Sequence, residues 1–148
     1  MSGMAAKNLY EQDFFQWAAL NADLLRAGRF TEADIYHIAE EIEDMGKSQR
    51  RALESRLEVL LSHLLKWQLQ PAGRSSSWRA TIRLQRLKIN KLLREMPSLR
   101  AAVPQEIPEA YENAVILAAS ETGLAESSFP VTCPYSQEQM LDPDFFPE

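Results

Sequence analysis

Apolar residues recur along most of this chain at steps of three and four, the spacing of one face of an α-helix. Phe14, Trp17, Ala18, Leu24 and Leu25 give such a stripe. They predict a first helix from near Asp13 to Ala27, with Gly28 as its stop. Thr31 then offers an N-cap, with Asp34 three residues on in a variant capping box. From there Ile35, Ile38, Ile42 and Met45 keep the helical step, and Ala52, Leu53, Leu57, Leu60, Leu64 and Trp67 continue in the same phase. Gly46 lowers the propensity by only about 1 kcal/mol and leaves the register intact. One long helix, bent near Gly46, is therefore favoured over two, and it ends by Gln70 because Pro71 and Gly73 break it. Its second half is apolar nearly all round (Leu60, Leu61, Leu64, Leu65, Trp67, Leu69), the mark of a central, buried helix.

Ser75, Ser76 and Ser77 provide caps for the next helix, whose inner face is Trp78, Ile82, Ile89, Leu92, Leu93 and Met96 before Pro97 stops it. A last helix is predicted to start near Pro108, a residue suited to a first turn, to carry Tyr111, Ala114, Leu117 and Ala118 inward, and to stop at Gly123. Beyond it, Pro130, Pro134, Pro143 and Pro147 alternate with Phe129, Tyr135, Leu141, Phe145 and Phe146. This predicts an extended segment packing its aromatics on the bundle, with one turn after Ser136. No stretch alternates as a strand does. The expected fold is all-α: a helical bundle of four to five helices with a long central helix and an extended Pro/aromatic C-terminal tail. It is expected to form a single domain over residues 10–148, after a flexible N-terminus over residues 1–9.

At 148 residues, 45% of them hydrophobic and 25% charged, the composition is that of an ordinary globular domain. A single cysteine, Cys133, excludes an internal disulfide framework and fits a reducing compartment. The absence of a spanning apolar run or a secretory signal makes the cytoplasm the expected location. Charge is strongly partitioned. Residues 1–46 hold 3 basic and 9 acidic groups, residues 47–100 hold 13 and 3, and residues 101–148 hold none and 9. A basic middle suits an acidic partner or nucleic acid. The simpler reading is that acidic and basic segments face each other, within one bundle or across a dimer.

Polar residues on or beside the apolar faces are the main candidates for chemistry. They are Glu41, His63, Lys66, Gln70, Gln85 and Arg86. A buried polar group without a partner costs about 2–7 kcal/mol, so these residues either satisfy one another or line a site. Glu41, His63 and Arg86 are expected in one buried network tying the long helix to the next, with Gln85 as a buried amide that fixes helix register. Asp34, His37 and Glu41 share one stripe, a spacing that allows an imidazole and a carboxylate to hold one divalent ion. His37, Glu41 and His63 are thus the metal-ligand candidates, although no standard ligand pair is present and no metal or other cofactor is expected. Arg79, Arg83 and Arg94 lie on an arc outside the core stripe, where phosphate contact is conceivable. No nucleophile elbow surrounds the serines, and Cys133 has no basic neighbour in sequence to activate it.

The ordered run YEQDFFQWA, LLRAGRF, AEEIEDMGKSQRRAL, HLLKWQLQP, SSSWRATI with Gln85–Arg86, then MPSLR, EAY, ETGL, FP, CPY and LDPDF resembles a bacterial family known as domain of unknown function 29 (DUF29). The resemblance extends from about Tyr10 to Phe145, with no departure at the signature positions. It implies an α-helical bundle and points to Glu40, Glu41, Glu43, His63, Lys66, Trp67, Gln70, Ser77, Trp78, Gln85 and Arg86, but implies no activity or ligand. Taken together, the residues favour a small, non-enzymatic interaction or regulatory module binding a protein partner or a second copy of itself, as a homodimer. A ligand- or metal-binding bundle, conceivably an enzyme, is the alternative, followed by nucleic-acid binding through the basic central helices. No membrane partner is expected.

Overall fold

Asp13 opens the first helix, α1 (Phe14–Arg26), by accepting the Gln16 amide on its carboxylate at 3.0 Å. The computed structural model describes residues 9–148, so nearly all of the expected flexible N-terminus lies outside the described residues. The chain divides into two compact units, with the boundary between Ser48 and Gln49.

In the first unit α1 buries Trp17, Asn21 and Leu24, while Phe14, expected on the inner face, is half exposed. Gly28 follows with a φ of 72°, a left-handed conformation that only glycine adopts cheaply. The second helix, α2 (Ile35–Leu69), runs for 35 residues without interruption at Gly46. It starts later than Thr31, because Asp34 takes the cap. Its carbonyl accepts the Ile38 amide at 2.9 Å and its side chain accepts the His37 amide at 3.4 Å. The expected inner face of the first part of α2 is largely uncovered: Ile35, Ile42 and Met45 are all exposed.

Burial along α2 begins at Leu53. In the second unit Leu53, Leu57, Leu60, Leu61, Leu64 and Leu65 are wholly inaccessible and form the centre of the core. A short 3-10 turn (Pro71–Gly73) ends α2, and Gly73 is required there. A Cβ on it would meet the Trp78 ring at 2.7 Å. Helix α3 (Ser76–Glu95) is capped by Ser75, whose hydroxyl accepts the Trp78 amide, and it buries Ile82, Ile89 and Leu93. Helix α4 (Val103–Thr122) begins five residues before Pro108, which sits inside it. Pro104 occupies the first turn, so Pro108 removes one internal hydrogen bond without ending the helix. Gly123 closes α4 in the left-handed conformation. The tail contributes more than a covering. Phe129, Tyr135 and Met140 belong to the core itself, and Ser136 opens a short helix, α5 (Gln137–Leu141), with a full capping box. The fold is all-α, with no strand among the described residues. Among the described residues, no helix is long and apolar enough to cross a membrane.

Candidate functional site

In the first unit the polar stripe on α2 is held by aromatic groups. The Asp34 side chain is fully buried. It accepts from the Trp17 indole Nε1 at 3.0 Å and lies 2.6 Å from His37 Nδ1, which as donor must carry the hydrogen. The Asp34 backbone N–H donates to Asn21 Oδ1 at 2.8 Å, tying the cap to α1. Tyr10 stacks on the His37 ring at 3.9 Å, and its hydroxyl donates to Glu41. That hydrogen bond, more than burial or the other nearby carboxylates, pushes the Tyr10 phenol up to about 12. Burial alone would raise the Asp34 carboxyl, but the hydrogen bonds from His37 and Trp17 outweigh it and hold the group below its ordinary 3.8.

A folded carboxyl with a lowered pKa adds stability that is complete above its unfolded value and is lost as pH falls through the folded one. Asp34 therefore supports the first unit at neutral pH and releases it only in acid. Asp34→Ala removes the cap and strands the Trp17 indole, and should cost about 2–4 kcal/mol. The Trp17 indole N–H resonance, followed by NMR through an acid titration, should move with Asp34 protonation. If it keeps its shift in Asp34→Ala, the pairing is wrong.

In the second unit Lys66 is buried beside Trp78, its ammonium 4.9 Å from the ring centre and paired with Glu121. His63 donates through Nδ1 to the Val59 carbonyl at 2.8 Å and presents Nε2 to Lys66 at 3.4 Å. Burial pushes the His63 imidazole below its usual range, and the Lys66 charge adds to this. Arg86, only 2% exposed, reaches the tail. Nε donates to the Met140 carbonyl at 2.7 Å and Nη2 to the Gln139 carbonyl at 3.1 Å, with the guanidinium over Phe146. Its Nη1 is buried without a hydrogen-bond partner, and desolvation lowers its pKa.

The expected single network of Glu41, His63 and Arg86 is thus replaced by separate local sets: Tyr10 with Glu41, Val59 and Lys66 with His63, and tail carbonyls with Arg86. Gln85 is half-buried and accepts from Arg56 at 3.4 Å instead of sitting wholly inside. Gln70 packs against the Gly73 turn. Of the metal-ligand candidates, His37 and Glu41 are engaged by Asp34 and Tyr10, and His63 by Val59 and Lys66. Arg79, Arg83 and Arg94 are exposed, whereas Arg86 on the same helix points inward.

Sequence reasoning missed three groupings. Glu54, Glu106 and Glu109 bring carboxylate oxygens within 4.8 Å of one another. Arg50 pairs with the buried Glu106, supplying the counter-charge, and burial together with the neighbouring glutamates raises the Glu54 pKa. Tyr111 donates to the Pro130 carbonyl at 2.6 Å beside a 510 Å³ recess, and burial raises this phenol to about 12. Arg74 and Arg79 both lie 5.1 Å from the centre of the Trp67 ring, where the single tryptophan at the end of α2, followed closely by two arginines, could have signalled them.

These features define an all-α protein in which aromatic rings organise the buried charges. The chain belongs to the family described as Domain of unknown function DUF29, whose model matches residues 9–146. No curated protein matches the chain. No solved structure matches it.

Proposed function

We propose that the protein is a cytoplasmic, non-enzymatic interaction module that associates with a second copy of itself. The observation that supports this reading is the uncovered stripe on the first part of α2. Ile35, Ile42 and Met45 are 52%, 60% and 60% exposed, with Glu40, Glu43 and Asp44 solvated around them. Large apolar side chains clustered on one helix face and rimmed by charge are the usual make-up of a protein-binding surface.

A complementary face exists on α3. Leu84 and Leu87 are exposed there, with Arg83, Lys88 and Lys91 around them. An acidic apolar stripe from one copy and a basic apolar face from another match in both hydrophobicity and sign. Each copy carries one of each. Sedimentation velocity should show a dimer at about 100 μM that Ile42→Lys or Leu84→Glu weakens roughly tenfold or more. Added salt should weaken it further, since oppositely charged rims are screened. A wild-type chain that stays monomeric at that concentration would refute the reading.

A further inference from the structure

The end of the second unit where α2 gives way to α3 carries two cations that no carboxylate neutralises. Arg74 and Arg79 have no acidic group within 4.0 Å among the described residues, whereas nearby Lys66 is paired with Glu121. Both guanidinium groups are nevertheless held. Each lies 5.1 Å from the centre of the Trp67 ring, and Arg79 is also 5.1 Å from that of Phe146. Arg74 Nε donates to the Trp67 carbonyl at 2.8 Å, and its two terminal nitrogens have no hydrogen-bond partner among the described residues. Trp67 is itself part of the core, so the surface the arginines rest on is fixed. The turn that carries Arg74 is fixed too, because Gly73 is wedged against the Trp78 ring.

These two arginines and Trp67 line a recess of 460 Å³ together with Ser75 and Ser76. Ser76 is the first residue of a 20-residue helix, so its amide has no acceptor within the helix. The guanidinium pair carries the argument, and the helix end adds a donor of the same sign. Paired guanidinium forks suit the geometry of a phosphate oxygen set, and donors already immobilised on aromatic rings lose little entropy on binding.

We propose that this recess binds a phosphate dianion, free or as the terminal group of a phosphorylated small molecule. The chain supplies two positive charges for the two negative ones, and the recess has room for a small substituent beyond the phosphate. The proposal does not rest on self-association, although Arg79 and Ser76 also border the recess that Leu84 and Leu87 line.

The test is calorimetric titration of the full chain with inorganic phosphate and, separately, with glycerol phosphate, at ionic strength held constant with sodium chloride. Saturable binding is expected with both, and tighter binding of glycerol phosphate would show that the recess also reads the substituent. Arg74→Ala and Arg79→Ala should each weaken binding roughly tenfold. Arg79→Lys, which keeps the charge but loses the fork, should weaken it by a smaller factor. Arg94→Ala, at the far end of α3, should leave it unchanged. The proposal is overturned by an absence of saturable binding up to about 10 mM phosphate, or by an equal loss in Arg94→Ala. It is also overturned by binding of a single-stranded oligonucleotide that inorganic phosphate does not compete.

Discussion

Leu60→Ala and Leu64→Ala each lower the unfolding free energy by about 2–5 kcal/mol. Both side chains are wholly inaccessible, and they sit where α2 is surrounded by α3, α4 and the tail core residues. Each substitution removes the transfer free energy of the lost methyl and methylene groups and leaves a cavity. The walls of that cavity, other leucines on a continuous helix, cannot easily collapse into it. Equilibrium denaturation should show a lower midpoint with an unchanged slope, the sign of lost stability without a change in exposed surface. Losses under about 1 kcal/mol at both positions would mean that this segment is not the centre of the core.

The second large effect is expected at Arg86. Arg86→Ala strands the carbonyls of Met140 and Gln139 and empties the space under Phe146, at a cost of about 3–5 kcal/mol. Arg86→Met fills the same space with an apolar chain and should recover part of the loss, because the desolvated charge and its unpaired Nη1 disappear. Amide hydrogen exchange across residues 137–146 reads this directly. Protection there should fall in the alanine variant and return partly in the methionine variant. A tail protected equally in all three proteins would show that Arg86 does not hold it.

The helices themselves were legible in the residues. Apolar spacing alone gave the continuity of α2 through Gly46, since the stripe from Ile35 to Trp67 never loses phase. Starts were less legible. Thr31 and Asp34 are both good capping residues, and the choice of Asp34 depends on Trp17 and Asn21, which reach it from 17 and 13 residues away. Pro108 misled for a similar reason: a proline tolerated inside a helix and one that opens it look the same until Pro104 is seen to fill the first turn. Burial could not be read from periodicity where a helix carries an apolar face with no neighbour to cover it, as at Ile42 and Met45. The polar residues were legible as groups that need partners, but the partners themselves were not. Arg86 finds main-chain carbonyls, which every sequence has and none displays. Arg74 was overlooked because its significance lies in a ring seven residues back.

The bond between Arg86 and the Met140 carbonyl spans 54 residues, and this separation governs the order in which the second unit can assemble. Synthesis delivers the α2–α3 pair first, with a guanidinium already committed to the inner face of α3 and no acceptor yet made for it. Loop closure over such a distance is slow compared with forming either helix. Closing the core on the tail is therefore expected late in folding, after the helix pair. Until then, the leucines of α2 that face the tail remain open to any other apolar chain. Mutations in residues 135–146 are therefore expected to lower the yield of folded protein more than their equilibrium cost suggests.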